Sequence, residues 1–96
     1  MLVYVDIDNT ICTTIGVNYK DSHPIKENIL KINKLYEEGN TIHYWTARGS
    51  KTKIDWSTLT KKQLKEWGCK YHTFSSGEKP PYDLLICDKT KRIEEI

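Results

Sequence analysis

The chain lacks the features of membrane, secreted and disulfide-stapled proteins. It has no apolar run near the ~18 residues that a membrane span needs, and its first residues, MLVYVD, contain no basic leader, so we expect neither a membrane span nor a signal peptide. Its three cysteines, Cys12, Cys69 and Cys87, show no CxxC spacing. This pattern argues against a disulfide framework or a zinc knuckle and predicts reduced thiols in a cytoplasmic protein.

The chain also has little net charge. The formal net charge of +2 does not by itself indicate a polyanionic partner. Apolar residues make up 38% and charged residues 29% of the chain, which is typical of a soluble globular protein. The length of 96 residues predicts a single domain spanning residues 1–96 with one modest core.

Hydrophobic periodicity predicts alternating strands and helices. Apolar, β-branched and aromatic residues predict strands at 2–5, 41–45, 71–74 and 83–87. A helix is expected to open at Pro24 and stop at Gly39-Asn40, and a second to end at Gly68. Thr60 and Gln63 match a capping box at the start of this second helix. The polar stretch 12–22 is expected to be a loop or a small hairpin. The alternation predicts an α/β fold with a parallel sheet and flanking helices.

Two aspartates follow the first predicted strand, in VYVDIDNTIC. Side chains alternate along a strand, so Asp6 and Asp8 can project the same way while Ile7 enters the core. Ligands of open parallel sheets bind beyond the carboxyl ends of the strands. Two carboxylates there need a positive partner, and their oxygens favour Mg²⁺. The simpler alternative, a turn capped by Asp8, leaves Asp6 unexplained.

Other polar residues are predicted at the same edge of the sheet. Thr46 ends the second predicted strand, Asp88 follows the fourth, and Lys79 lies in the loop before it. Acids, a hydroxyl and a fixed cation together can hold a metal ion and a phosphoryl group. Arg48, just after Thr46, is a candidate to clamp a substrate anion, although a solvated loop arginine is an equal alternative.

These segments resemble those of a known superfamily. The motif DIDNT, the strand TIHYWT, a later lysine and a late acidic strand end are similar to the haloacid dehalogenase (HAD) superfamily. WTARGS, IDWSTLTKKQLKEWG and EKPPYDLLICDK further resemble its small phosphatase-like proteins linked to capsular polysaccharide biosynthesis. The resemblance implies a minimal Rossmann-like three-layer sandwich, with about four parallel strands in the order 3-2-1-4. The segment between Cys12 and the second strand and the loop after Thr46 are both too short for a cap domain.

The resemblance also implies a role for each site residue. Asp6 is the expected nucleophile, forming an aspartyl phosphate, and Asp8 the general acid and base. Thr46 is expected to bind a phosphoryl oxygen and Lys79 to offset charge on the transferring group. The Asp6 carboxylate, the Asp8 backbone carbonyl and Asp88 are the expected ligands of Mg²⁺.

Two further positions qualify these roles. Similar proteins have Ile-Asp-Asp-Lys at the last motif, where this chain has Cys87 in place of the first acid. A thiol is a poor ligand for Mg²⁺, so lowered activity is expected. Thr10 is expected to be a turn or helix-entry hydroxyl that helps to orient the metal-binding loop and to bind substrate.

The sequence therefore predicts a magnesium-dependent phosphomonoester hydrolase. Its substrate is expected to be a sugar phosphate or a phosphorylated polymer end; a nucleic-acid end is kept open by a lysine-rich zone but is not favoured. The alternatives are a weakly active or non-catalytic phosphate-binding module, motivated by Cys87, and a phosphotransferase. Self-association is left open.

Overall fold

The computed structural model describes residues 1–49, 54–77 and 84–86. The described chain forms a parallel sheet packed against two helices, which confirms the predicted α/β class. The sheet contains β1 (Leu2–Asp6), β4 (Thr41–Thr46), β5 (Thr73–Ser76) and β6 (Leu84–Ile86). A second, two-stranded sheet consists of β2 (Cys12–Thr13) and β3 (His23–Pro24). The helices are α1 (Lys26–Glu37) and α2 (Ser57–Glu66).

The strands of the main sheet lie in the order β5-β4-β1-β6, and every neighbouring pair is parallel. Val3 of β1 pairs with Ile42 of β4, and Val5 pairs with Tyr44 on one side and Ile86 on the other. The chain moves outward from β1 to β4 and β5, then returns to place β6 on the other side of β1. Strand order thus reverses beside β1, and such reversals open a crevice at the carboxyl ends of the strands.

The core lies between the sheet and the two helices. Val3 and Val5 of β1 are almost fully buried, as are Ile42 and Tyr44 of β4, because alternate side chains of a strand point to the same face. Ile29 and Ile32 of α1 and Leu64 of α2 join the same buried cluster. No helix in the described part of the chain combines the length and apolar character that crossing a membrane demands.

The turns between elements fit the sequence in most places. The loop expected at 12–22 is closed by a small antiparallel hairpin, with Cys12 opposite Pro24. Gly39 and Gly68, directly after the two helices, have φ values of +95° and +72°, a backbone conformation that favours glycine. The third strand, expected at 71–74, is shifted to Thr73–Ser76. These four residues pair in parallel with the last four residues of β4, from His43 with Thr73 to Thr46 with Ser76.

Candidate active site

Asp6 and Thr46 lie at the same edge of the sheet. Asp6 ends β1 and pairs with Trp45, the residue before Thr46 at the end of β4. Neighbouring strands are about 4.8 Å apart, so the two strand ends lie at one rim of the sheet. The Asp6 Oδ1 accepts a hydrogen bond from the Ile7 backbone N–H at 2.9 Å. The strand ends that carry the two residues therefore share one edge, and contact between their side chains stays a prediction.

A tight turn after β1 presents Asp8. The backbone N–H groups of Thr10 and Ile11 donate to the Ile7 carbonyl oxygen at 3.2 and 3.1 Å. Asn9 has a φ of +64°, which asparagine tolerates better than most residues, and its N–H donates to the Cys12 carbonyl at 2.8 Å. Residues 8–10 therefore form a tight turn in which Asp8 lies just beyond the end of β1.

The Asp8 carboxylate forms a bidentate ion pair with Arg48. The Arg48 Nε lies 2.9 Å from Oδ2 and 3.2 Å from Oδ1, and one terminal nitrogen lies 2.8 Å from Oδ1. The Arg48 side chain is fully buried, whereas that of Asp8 keeps 23% of its surface exposed. The planar guanidinium matches the carboxylate geometry, so the pair fixes the orientation of Asp8 as well as balancing its charge.

Arg48 uses its remaining donors on residues of other elements. One terminal nitrogen donates to Thr60 Oγ1 at 3.1 Å and to Gln63 Oε1 at 2.6 Å, and the other also contacts Ser22 Oγ at 3.4 Å. The guanidinium carbon lies 4.7 Å from the centre of the Tyr19 ring. With all of its N–H groups engaged in a buried network, Arg48 is not placed to clamp a substrate anion, and we replace that expectation with a positioning role.

Helix α2 supplies two of these partners, and here the sequence interpretation was wrong. The helix begins at Ser57, after Trp56, and no side chain caps its first turn. Thr60 and Gln63 are therefore inside the helix, and they do not form the expected capping box. Their i, i+3 spacing puts both on one face, where Thr60 Oγ1 also donates to the Trp56 carbonyl at 2.8 Å and Gln63 Nε2 to the Tyr19 carbonyl at 2.6 Å.

The hairpin loop completes the surroundings of Asp8. Thr14 Oγ1 donates to Asp8 Oδ1 at 2.7 Å and also lies 2.7 Å from Ser22 Oγ. The Cys12 thiol lies 3.7 Å from the same Oδ1, and burial raises its pKa to about 11. A thiol so hard to ionise is a poor nucleophile. Among the described residues, Oδ2 accepts only from Arg48.

Thr10 is enclosed within the turn. Its side chain is fully buried, and its Oγ1 has no hydrogen-bond partner among the described residues. Its carbonyl oxygen accepts from Asn28 Nδ2 at 2.9 Å, which ties the turn to α1. The structure places Thr10 within the turn, and its expected contact with substrate stays a prediction.

Thr46 ends β4, and its expected contact with a phosphoryl group stays a prediction. Its Oγ1 accepts a hydrogen bond from the Arg48 backbone N–H at 3.1 Å and donates to no residue in the described ranges. The side chain is 1% exposed. Its hydroxyl hydrogen is the donor that the predicted role requires.

Two predicted oxygen ligands for Mg²⁺ fall within the described residues. The Asp6 carboxylate lies at the rim, and the backbone carbonyl of Asp8 accepts no hydrogen bond from the described residues. Both are hard oxygen donors of the kind that Mg²⁺ takes, so the residues present fit this ion. The described ranges contain no group of three or more His, Cys, Asp or Glu side chains suited to a metal. The predicted positions Lys79, Cys87 and Asp88 lie outside the described residues.

Comparisons with known proteins bear on the fold. No known family profile and no curated protein matches this chain. The chain is similar in structure to a protein from Vibrio cholerae whose crystal structure was determined as an MCSG target. The TM-score is 0.73 with 20% sequence identity, over 82% of this chain and 71% of the other. At this identity the likeness shows a shared fold and says nothing of activity.

Proposed function

We propose that this protein is a magnesium-dependent phosphomonoester hydrolase of the HAD type, a minimal, capless, Rossmann-like domain that works through an aspartyl phosphate. The observation that carries the proposal is the parallel pairing of β1 with β4, which brings Asp6, Asp8 and Thr46 to one edge beside the reversal in strand order. The order β5-β4-β1-β6 is compatible with the order 3-2-1-4 implied by the resemblance. A helical layer on the second face of the sheet is not among the described residues.

Asp6 is the proposed nucleophile. One carboxylate oxygen attacks phosphorus, a bond forms between that oxygen and phosphorus, and the bond from phosphorus to the alcohol oxygen breaks. Asp8 gives a proton to the departing alcohol oxygen and so returns to the carboxylate form that pairs with Arg48. Water then attacks the phosphorus, Asp8 takes a proton from that water, and the bond to Asp6 breaks to release phosphate.

The two carboxylate oxygens of Asp8 differ in how many hydrogen-bond partners they have. Oδ1 is occupied by Arg48, Thr14 and Cys12, whereas Oδ2 contacts Arg48 alone among the described residues. Oδ2 is therefore the oxygen we propose to carry the transferred proton. Arg48 holds the carboxylate in place without touching the reacting atoms, and a correctly placed acid lowers the barrier because little reorganisation is needed.

Mg²⁺ held by the Asp6 carboxylate and the Asp8 carbonyl would offset negative charge on the phosphoryl oxygens. The Thr46 hydroxyl donates to one of these oxygens, and Lys79 and Asp88 keep their predicted roles as electrostatic partner and third metal ligand. Fixed charges of this kind supply most of the catalysis in phosphoryl transfer.

Hydrolysis of an aryl phosphate tests the proposal. We expect turnover that is lost when Mg²⁺ is chelated and lost in Asp6→Asn, which removes the nucleophile with little change in size. Glu38→Gln is the matched control, since this exposed carboxylate follows α1 at the other edge of the sheet. Persistence of the full rate in Asp6→Asn would contradict the mechanism.

The same assay separates the alternatives. Binding of inorganic phosphate without turnover would favour a non-catalytic phosphate-binding module, in which the tight Asp8–Arg48 pair is purely structural. Formation of a new phosphate ester when glycerol is added, in place of free phosphate, would identify a phosphotransferase.

A further inference from the structure

The hairpin of β2 and β3 ends in a pair of hydroxyl side chains beside Asp8. Thr13 pairs with His23 at the end of this short ladder. The next residue on one side is therefore Thr14 and on the other Ser22, and their hydroxyl oxygens lie 2.7 Å apart. Threonine and serine placed opposite each other across an antiparallel pair commonly form such a hydrogen bond. The hairpin thus brings to the candidate site two hydroxyls that no motif in the sequence marks.

The direction of each hydrogen bond in this group follows from the hydrogens available. The Asp8 carboxylate only accepts, so Thr14 donates its single hydroxyl hydrogen to Asp8 Oδ1 at 2.7 Å. Thr14 then has no hydrogen left for Ser22, and Ser22 must donate to Thr14. The Ser22 oxygen in turn accepts from a terminal nitrogen of Arg48 at 3.4 Å. The same nitrogen donates to Asp8 Oδ1 at 2.8 Å, which closes these donors into a ring.

The ring converges on one oxygen of the Asp8 carboxylate. Oδ1 accepts from Thr14 and from Arg48, and the Cys12 thiol lies 3.7 Å from it. A carboxylate oxygen has two lone pairs, so a proton on Oδ1 would have to displace one of the two short bonds. In a ring of donors each bond polarises the next, which raises the cost of that displacement. The Oδ1 position, which faces the hairpin, is therefore closed to a proton.

Arg48 alone does not distinguish the two oxygens of Asp8, because its donors lie within 3.2 Å of both. The Thr14 hydroxyl bonds to Oδ1 only. Without this donor a proton could occupy either oxygen, and a proton on Oδ1 would face the hairpin instead of the departing alcohol. The choice of oxygen therefore depends on Thr14, and the orientation of the Thr14 hydroxyl depends on Ser22.

From this arrangement we propose that Thr14 and Ser22 are positioning residues for Asp8, which keep the transferred proton on Oδ2 by filling the Oδ1 position with a hydroxyl donor. The inference rests on the proposed phosphatase function and adds two residues that act through Asp8 and not on the substrate. It gives the hairpin a part in the reaction, because the hairpin register sets the two hydroxyls opposite each other.

Two aryl esters with different leaving groups test this role. The phenol released from para-nitrophenyl phosphate departs readily without a proton, whereas the more basic oxygen released from phenyl phosphate needs one. Thr14→Val removes the hydroxyl and keeps the β-branched shape. We expect its kcat/KM to fall about tenfold for phenyl phosphate and no more than about twofold for para-nitrophenyl phosphate, because only the first ester depends strongly on a well-placed acid.

Three further variants separate positioning from a general effect on the fold. Thr14→Ser keeps the donor and should keep the ratio of the two kcat/KM values found in the unmodified chain. Ser22→Ala should shift the ratio in the same direction as Thr14→Val but less, since Thr14 retains its bond to Asp8 and loses the donor that orients it. Thr41→Val is the matched control, because Thr41 is exposed and begins β4 at the opposite edge of the sheet; it should leave both rates unchanged.

Equal losses for the two esters in Thr14→Val would indicate a general structural effect and overturn the positioning role, while turnover by the unmodified chain leaves the phosphatase function standing. A ratio altered as much in Thr14→Ser as in Thr14→Val overturns it too. If Thr14→Val does not fold, a ratio in Ser22→Ala identical to that of the unmodified chain overturns the role. Absence of turnover of either ester by the unmodified chain overturns both proposals.

Discussion

Replacement of Arg48 by methionine tests the network that holds Asp8. Methionine keeps much of the length of the arginine side chain but removes the charge and every N–H donor. The Asp8 carboxylate then loses its ionic partner, and the buried oxygens of Thr60 and Gln63 lose a donor. Breaking a buried ion pair by removing one partner is strongly destabilising because the other charge remains uncompensated.

The expected loss follows from the exposure of the two groups. Such breakage typically costs about 3–5 kcal/mol. The Asp8 side chain retains 23% of its exposed surface and can recover some hydration, so we expect the free energy of unfolding of Arg48→Met to fall by about 3 kcal/mol, at the lower end of that range. A small domain is stable by about 5–15 kcal/mol, so the variant should still fold and can be measured.

Urea unfolding of a double-mutant cycle is the assay. Arg48→Met, Asp8→Asn and the double variant should show a coupling energy of about 2 kcal/mol, because the second change costs little once the first is made. Lys62→Met is the control: Lys62 and Glu66 are 3.9 Å apart but 71% and 59% exposed, and a surface pair of this kind contributes about 1 kcal/mol or less. Additive losses, or a loss in Arg48→Met no larger than in Lys62→Met, would refute this view of Arg48.

Two further predictions concern stability. In urea titrations, Gly49→Ala should lower the free energy of unfolding by about 2 kcal/mol more than Gly39→Ala does. Both glycines have positive φ, but only at Gly49 would a Cβ atom clash with the Ile54 carbonyl oxygen. Equal losses in the two variants would contradict this prediction. Burial lowers the pKa of His43, so the folded state favours its neutral imidazole. The stability that this preference contributes is complete above the unfolded pKa of about 6.5 and is lost as pH falls through the lower folded pKa. The free energy of unfolding of His43→Gln should therefore fall less between neutral and mildly acidic pH than that of the unmodified chain, and identical pH profiles would contradict the assignment.

The sequence predicted features that depend on local spacing. The β-branched and aromatic run TIHYW indicated a strand, which the structure extends by one residue to Thr46. Gly39 and Gly68 indicated where two helices stop, because the left-handed backbone they adopt is costly for other residues. Asp6 could be placed at the carboxyl edge because alternation along a strand and the common polarity of parallel strands are enough to put it there.

Local spacing could not assign the partners of Arg48. The pattern of Thr60 and Gln63 reads equally as a capping box, and only the start of α2 at Ser57 rules that out. A signal was present, because these two polar residues share the inward face of the helix with Leu64, and polar side chains on a buried face need partners. Their partner is 12 and 15 residues away in sequence, in a different element.

Local sequence therefore predicted the strands, the residues at which the helices stop and the acidic residues at the end of the first strand, since each depends on neighbours within a few positions. The pairing of Asp8 with Arg48, 40 residues apart in sequence, depended instead on how the folded elements pack together. A buried guanidinium donates to the acceptors that the packed elements bring within about 3 Å of it. Which acceptors these are depends on how the helix, hairpin and sheet are arranged in space.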